Sequence, residues 1–144
     1  ILRGLVGSEM CIRDSNESSK RCSDIKKLFD LPVIKAFGIN SVIDLDTAVH
    51  YEDVVDYFLF DAKPDIKNIS QKGGLNKVFD WKILDSWKGK EFFLAGGINI
   101  NNIKSAINDT NAFCIDISSG VERELGIKDS NMIKEIYTEF KALV

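Results

Sequence analysis

This sequence has a single histidine, and its few cysteines show no spacing that suggests a pair. His50 is the only histidine, which excludes metal sites built on two histidines and argues against a Ser-His-Asp triad. The three cysteines (Cys11, Cys22 and Cys114) are odd in number and show no Cys-x-x-Cys spacing, so neither a disulfide framework nor a zinc site is predicted. We interpret them as reduced thiols and expect a cytoplasmic protein that binds no metal.

The sequence also lacks a positive net charge and a long apolar run. A formal net charge of −3 at pH 7 gives no general attraction to polyanions, so we expect no nucleic-acid partner. No apolar run approaches the roughly 20 residues that a transmembrane helix needs, so we expect no membrane partner. The composition is otherwise ordinary, with 44% hydrophobic residues, and 144 residues suffice for one domain with a substantial core.

The first fifteen residues differ from the rest of the chain. They do not begin with methionine, show no clear period, and contain no apolar stretch long enough for a signal peptide. The string GLVGSEMCIRDS closely resembles translated library-adapter sequence. We therefore predict an artefactual or disordered leader over residues 1–15, followed by one domain over residues 16–144 whose parent chain was cut on its amino-terminal side.

Apolar runs that resemble strands alternate with segments of helical spacing from residue 17 onward. The predicted strands are Val33–Phe37, Tyr57–Phe60, Glu91–Ala95 and Ala112–Asp116. The predicted helices begin near Glu17, Asn40 or Ser41, Asp80, Asn99 and Asp129, and the last should bury Met132, Ile133, Ile136, Tyr137 and Phe140. This alternation is typical of parallel strands covered by helices. About four such units fit a small open sheet or, as we favour, the C-terminal half or more of a (β/α)8 TIM barrel.

Two loops of small residues follow the last two predicted strands. They are Gly96-Gly97, after the run FFLA, and Ser118-Ser119-Gly120, after the run FCIDI. Small residues let a ligand approach backbone N–H groups, and a helix beginning at Asn99 would favour an anion. Because the carboxyl ends of parallel strands share one edge, the two loops predict a phosphate site there.

Asp61 is the remaining candidate for chemistry. It ends the apolar run Tyr57–Phe60, so its carboxylate should lie at the rim of the core, where it is a candidate general acid. The structural alternative is that Asp61 caps the following turn or forms an ion pair with Lys63 or Lys35.

Five stretches in a fixed order carry a resemblance to a known family. LPVIKAFGI, LFDAK, GGLNKVFDW, LAGGININNI and IDISSGVERELGIKD resemble the C-terminal two-thirds of phosphoribosylanthranilate isomerase, an enzyme of tryptophan biosynthesis. The resemblance runs from about Glu17 to the C terminus. It implies an eight-stranded barrel that needs no cofactor. It also implies conversion of N-(5-phosphoribosyl)anthranilate to the corresponding 1-deoxyribulose phosphate by an Amadori rearrangement.

The resemblance implies a role for each candidate residue. Asp61 would be the general acid that protonates the sugar ring oxygen, and Asp116 would lie in the pocket wall, where it contacts or orients the sugar. Gly73 and Gly74 would belong to a mobile loop whose far end is anchored by Phe79-Asp80-Trp81. The substrate phosphate would be held by Gly96, Gly97, Ser118, Ser119 and Gly120.

This sequence departs from the family pattern at several points. Asn76 replaces a glycine of the mobile loop, and Asn tolerates left-handed backbone angles. The Lys-x-Cys-Gly motif that supplies the family's catalytic base does not occur in the 144 residues, nor do the arginine for the anthranilate carboxylate and the Leu-His-Gly strand. We therefore expect residues 1–144 alone not to isomerise the substrate.

An incomplete barrel should also leave unpaired strand edges, at Val33 and at Ala112. Apolar side chains should face its empty interior, namely Phe58, Phe60, Phe93 and Phe113, so self-association is expected. Two alternatives to the isomerase remain open. One is a non-catalytic half-barrel that binds phosphate ligands. The other is a different phosphate-binding barrel, such as a tryptophan synthase α-subunit or a sugar-phosphate epimerase.

Overall fold

A parallel β-sheet forms the centre of the molecule. The computed structural model describes residues 10–12, 17–63 and 78–143. The strands are β1 (Met10–Ile12), β2 (Val33–Ile39), β3 (Tyr57–Ala62), β4 (Phe92–Leu94) and β5 (Cys114–Ile115), and they lie side by side in chain order. All four neighbouring pairs are parallel. A separate antiparallel hairpin joins β6 (Glu122–Glu124) to β7 (Ile127–Lys128).

The helices lie close to their predicted positions. They are α1 (Ser19–Phe29), α2 (Val42–Val49), α3 (Ile103–Asn108) and α4 (Ser130–Leu143), with 3-10 turns at Trp81–Ser86 and Ser119–Val121. Three of the predicted caps are confirmed, and the first of them is Ser41, the N-cap residue of α2. Asp80 Oδ1 accepts a hydrogen bond from the N–H of Lys82, and Asp129 Oδ1 accepts hydrogen bonds from the N–H groups of Asn131 and Met132.

All the described helices cover one face of the sheet. Buried residues of the helices pack with one set of strand side chains in a single cluster, which contains Cys22, Leu45, Ala48, Leu84, Ile103, Ala106 and Ile136. The opposite face carries a second buried cluster of Ile34, Ala36, Leu59, Phe93 and Ala95, all of which lie on or directly after strands. Helices on one face of a parallel sheet are the arrangement of a barrel wall, whereas an open doubly wound sheet has helices on both faces.

The predicted orientation of two phenylalanines was wrong. Phe58 and Phe60 do not face the barrel interior but pack in the helix-covered cluster, where both side chains are fully buried. Alternation along β3 turns Tyr57, Leu59 and Asp61 to the other face. Phe93 does lie on that face but is buried, so of the four named phenylalanines only Phe113 is substantially exposed, at 41%.

One of the two predicted open edges is covered. Met10–Ile12 pairs in parallel with Val33–Lys35, so β2 has neighbours on both sides and the sheet has five strands rather than four. The prediction of an open edge at Val33 was therefore wrong, because a short stretch of the predicted leader forms β1. At the other end, β5 has a described strand partner only in β4.

The C-terminal helix buries fewer residues than predicted. Ile136 is buried, but Ile133 and Tyr137 remain 45% and 50% exposed. These two side chains line an open groove of about 520 Å³ between α3, β5 and α4, together with Phe113 and Phe140. The helix packs on the sheet through Ile136, which also lines this groove, so its apolar side extends beside the end strand of the sheet.

The predicted mobile loop lies mostly outside the described residues. Gly73, Gly74 and Asn76 belong to residues 64–77, whereas the predicted anchor Phe79-Asp80-Trp81 is described. Phe79 is buried in the helix-covered cluster, and Trp81 packs against the same cluster.

Cys22 and Cys114 are free thiols. Burial raises the pKa of the Cys22 thiol, partly opposed by the charge of Lys35. Lys35 itself is fully buried on β2, with its ammonium 5.3 Å from the centre of the Phe37 ring. Among the residues that the structure describes, no helix is long and apolar enough to cross a membrane.

Candidate functional site

The carboxyl ends of β3, β4 and β5 bring the candidate residues to one edge of the sheet. Asp61 is the fifth residue of β3 and stands opposite Gly38 in β2. The ladder continues past β4 and β5 through hydrogen bonds from the N–H of Ala95 to Phe60 O and from the N–H of Asp116 to Leu94 O, both 2.8 Å long. The sequence therefore correctly predicted that Asp61, the Gly96 loop and the Asp116 segment share an edge.

Asp61 lies directly against Gly96. A Cβ at position 96 would stand 2.6 Å from Asp61 Oδ1 and 2.5 Å from the backbone nitrogen of Ala62, closer than side chains pack. Gly96 also has φ +90°, a conformation that residues with a side chain rarely adopt. Glycine is thus required at this position both by the space that the carboxylate occupies and by the backbone conformation.

The two small-residue loops touch each other. A Cβ at Gly120 would overlap the carbonyl oxygen of Ile98 and approach the Cα of Asn99 to 3.0 Å. Gly120 is buried by this contact, whereas Ser118 and Ser119 beside it are exposed. The absence of a side chain at Gly120 lets the turn Ser119–Val121 pack on the loop that begins at Gly96, so the two loops form one continuous surface.

The start of α3 differs from the prediction. The helix is capped at Asn102 and begins at Ile103, not directly after Asn99. Asn99 instead begins a turn in which its N–H donates to Asn102 Oδ1 at 2.8 Å and its Oδ1 accepts from the N–H of Asn101. Side-chain amides of Asn99 and Asn102 both donate to the carbonyl of Gly97, at 3.0 Å each. The N–H of Asn99 is therefore occupied, and the side chains of Asn99 and Asn102 hydrogen-bond the loop to itself.

A lysine that the sequence analysis missed contacts the second loop. Lys128 Nζ donates to the carbonyl oxygen of Ser118 at 2.8 Å and to Ser118 Oγ at 3.0 Å. The same ammonium pairs with Glu122 Oε1 at 2.7 Å. The hairpin between Glu122 and Lys128 was not predicted either, although Gly126 between two short alternating stretches is a recognisable turn signal.

An ion pair joins helix α2 to the residue that follows β3, close in sequence to Asp61. Lys63 Nζ lies 3.0 Å from Asp44 Oδ1, and Asp44 Oδ2 accepts from the N–H groups of Asn40 and Ser41. Burial acts to raise the pKa of Asp44, but the hydrogen bonds from Asn40, Lys63 and Ser41 outweigh it and hold the pKa below its usual value. Lys63 was one of the two lysines considered as an ion-pair partner of Asp61, and in the structure it pairs with Asp44.

Asp116 lies one residue past β5, half-buried, next to the second loop. Its charge adds to burial in raising the pKa of the Cys114 thiol. Within residues 17–63 and 78–143 no group of three or more His, Cys, Asp or Glu side chains is placed to hold a metal ion. Among the described residues, this edge offers the carboxylates of Asp61 and Asp116 beside a surface of small residues, backbone groups and serine hydroxyls.

Comparison with known proteins agrees with this arrangement. Residues 16–139 match the family model of N-(5'phosphoribosyl)anthranilate (PRA) isomerase. The N-(5'-phosphoribosyl)anthranilate isomerase of Bradyrhizobium sp. (strain ORS 278) is 39% identical over 127 residues, which are 88% of this chain and 58% of that protein. The enzyme of the same name from Rhodopseudomonas palustris (strain TIE-1) is 40% identical over 128 residues, 88% of this chain and 60% of that protein.

Solved structures give the same result. Phosphoribosyl anthranilate isomerase from Thermotoga maritima superposes with a TM-score of 0.73 at 32% identity, covering 89% of this chain and 59% of that one. The chain thus spans somewhat more than half the length of the proteins that it matches. The match over most of its residues shows that this chain belongs to the N-(5'-phosphoribosyl)anthranilate isomerase family.

Proposed function

We propose that this chain supplies the general acid and the phosphate-binding loops of an isomerase that acts on N-(5-phosphoribosyl)anthranilate. The observation that carries the proposal is the contact between Asp61 and Gly96. It puts a carboxylate beside a loop of small residues that continues, through Ile98, to Gly120. A phosphorylated sugar lying along this edge would reach the acid with its ring and the loops with its phosphate.

The proposed chemistry begins with ring opening. Asp61 donates a proton to the ring oxygen as the bond from that oxygen to C1 breaks, and the anthranilate nitrogen forms a double bond to C1. Loss of the proton on C2 to a base gives an enolamine, and protonation at C1 with loss of the proton of the C2 hydroxyl leaves the ketone of the deoxyribulose phosphate. The reaction is an isomerisation with no net change in oxidation state. Asp116, at the end of the neighbouring strand, would orient the sugar.

The proposed phosphate site comprises Gly96, Gly97, Ser118, Ser119 and Gly120. Exposed serine hydroxyls and backbone groups on small residues are suitable partners for phosphate oxygens. A related structure at 29% identity, with a TM-score of 0.70, is a phosphoribosyl anthranilate isomerase in complex with reduced 1-(o-carboxyphenylamino)-1-deoxyribulose 5-phosphate. That complex supports a phosphosugar as the class of ligand for this chain.

We also propose a cytoplasmic location and self-association of the chain. The free thiols of Cys22 and Cys114 support the first, since a reducing compartment keeps such thiols unpaired. Self-association is supported by two features: in the described sheet β5 pairs with a strand on one side only, and an apolar groove lies beside it.

The experiment that tests the catalytic role uses a completed chain, in which residues 17–143 are joined to the amino-terminal part of the Bradyrhizobium relative. Turnover is measured by the loss of substrate fluorescence, with purified protein that is free of the isomerase of the expression host. Asp61→Asn should lower turnover by at least about 100-fold, because the amide is nearly isosteric but supplies no acidic proton. Affinity for a product analogue should stay within a few-fold, since the phosphate loops are unchanged.

Asp53→Asn is the matched control, because Asp53 is exposed and lies before β3, away from the carboxyl edge. Its turnover should equal that of the unsubstituted chain. Near-full turnover of Asp61→Asn would give Asp61 a structural role only. Binding of the analogue without turnover by an unsubstituted, folded chain would favour the non-catalytic half-barrel instead.

A further inference from the structure

Lys128 uses all its hydrogen-bond donors beside the proposed phosphate site. It contacts Ser118, which precedes it by ten residues. Its ammonium donates to Ser118 O, Ser118 Oγ and Glu122 Oε1, at 2.8, 3.0 and 2.7 Å. An ammonium group has three N–H donors, so these contacts use all of them. Lys128 is therefore placed to hold Ser118 rather than to reach a ligand itself.

Glu122 keeps Lys128 in this position. The two residues stand opposite each other in the hairpin of β6 and β7. Glu122 is only 12% exposed at its side chain, and its second oxygen, Oε2, accepts from the N–H of Gly126 at 2.9 Å. Both carboxylate oxygens are therefore used, one by Lys128 and the other by the backbone of the hairpin turn.

The contact with Lys128 also determines what the Ser118 hydroxyl can do. Ser118 Oγ accepts a hydrogen bond from the ammonium, so its own proton is available for donation to another acceptor. Ser118 is exposed, directly before the turn in which Gly120 packs on Ile98. The end of the hairpin is tied to the same turn by the hydrogen bond from the N–H of Asp129 to Val121 O, at 2.8 Å.

We propose that Lys128 is a positioning residue for phosphate binding, which fixes the Ser118 loop and orients the Ser118 hydroxyl as a donor, and that Glu122 anchors Lys128 for this task. The inference rests on the proposed phosphate site and adds to it two residues outside the small-residue loops. The loop is then held from both sides, by the packing of Gly120 on one side and by Lys128 on the other.

The test is titration of the 144-residue chain with inorganic phosphate, followed by calorimetry. Lys128→Met should weaken phosphate binding about tenfold, the effect expected when a charge-assisted hydrogen bond that orders a binding group is lost. Lys128→Arg should recover most of the affinity, because a guanidinium can still donate to both Ser118 and Glu122. Lys134→Met, which removes an exposed lysine of α4, is the matched control for net charge and should bind as the unsubstituted chain does.

The outcomes separate this inference from the proposed function. If the unsubstituted chain binds phosphate and Lys128→Met binds it equally well, only the role of Lys128 is overturned. If the unsubstituted chain binds no phosphate, the proposed site itself fails, and this inference with it. Should Lys128→Met not fold, as judged by circular dichroism, Glu122→Gln decides: weaker binding supports the anchored lysine, and unchanged affinity overturns it.

Discussion

The carboxylate of Asp61 lies against Gly96 at the carboxyl ends of two neighbouring strands, so closely that a Cβ at position 96 would stand 2.6 Å from Asp61 Oδ1. The proposed acid and the proposed phosphate loop are therefore coupled by packing.

This contact predicts that Gly96→Ala destabilises the fold more than a comparable glycine replacement elsewhere. Alanine at position 96 would meet the strain of φ +90° and also the atoms of Asp61 and Ala62. Gly126→Ala is the matched control, because Gly126 has φ +79° but no atom within 4 Å of the added methyl group. The difference in free energy of unfolding between the two variants should be about 1–3 kcal/mol, the usual effect of overpacking.

Urea denaturation followed by tryptophan fluorescence measures this difference, with Trp81 and Trp87 as reporters. Equal midpoints for Gly96→Ala and Gly126→Ala would mean that the contact with Asp61 relaxes without cost. In the completed chain, Gly96→Ala should also lower turnover, because the added methyl group displaces the carboxylate.

The strands and the shared carboxyl edge were predictable because apolar runs with helices between them admit few arrangements. The face that each strand side chain takes was not, since a strand buried on both sides is apolar throughout, as Phe58 and Leu59 illustrate. Three asparagines near residue 100 are all acceptable caps. The helix starts after Asn102, whose side-chain amide donates to Gly97 O five residues earlier, a loop contact that residue type alone does not predict. The role of Lys128 depends on a hairpin whose register no short pattern reveals.

A second prediction concerns acid stability. Asp56 accepts from Lys26 Nζ at 2.7 Å and from the N–H of Val33 at 2.8 Å, and thereby joins α1, β2 and the start of β3. Burial acts to raise the pKa of Asp56, but the hydrogen bonds from Lys26 and Val33 outweigh it, so its pKa in the folded chain is below the ordinary value of 3.8.

The direction of the pH effect follows from this lowered pKa. The stabilisation by Asp56 is fully present above the pKa of the unfolded chain, about 4, and is lost as the pH falls through the lower pKa of the folded chain. Asp56→Asn should reduce the free energy of unfolding by about 1 kcal/mol at neutral pH, since the pair is partly exposed. The difference from the unsubstituted chain should shrink below about pH 4.

Denaturation at a series of pH values checks this prediction, with Asp53→Asn as the control for an exposed carboxylate nearby. A deficit in Asp56→Asn that persists unchanged at low pH would show that the loss comes from packing and not from the charge.

The last prediction concerns the groove beside the end strand. Phe113, Ile133 and Tyr137 line it and are 41%, 45% and 50% exposed, next to the backbone of β5, which has a described strand partner on one side only. An unpaired strand edge beside an apolar strip favours association between chains. Size exclusion coupled to light scattering should therefore find the 144-residue chain in dimers or larger species whose share rises with concentration.

Ile133→Glu should shift the chain towards monomer, because association would bury its charge without a partner. Leu125→Glu places the same charge on a more exposed leucine, 92% accessible at the hairpin turn and outside the groove, and should leave the distribution unchanged. A monomeric unsubstituted chain with a sharp thermal transition, or equal behaviour of the two variants, would rule out association through this groove.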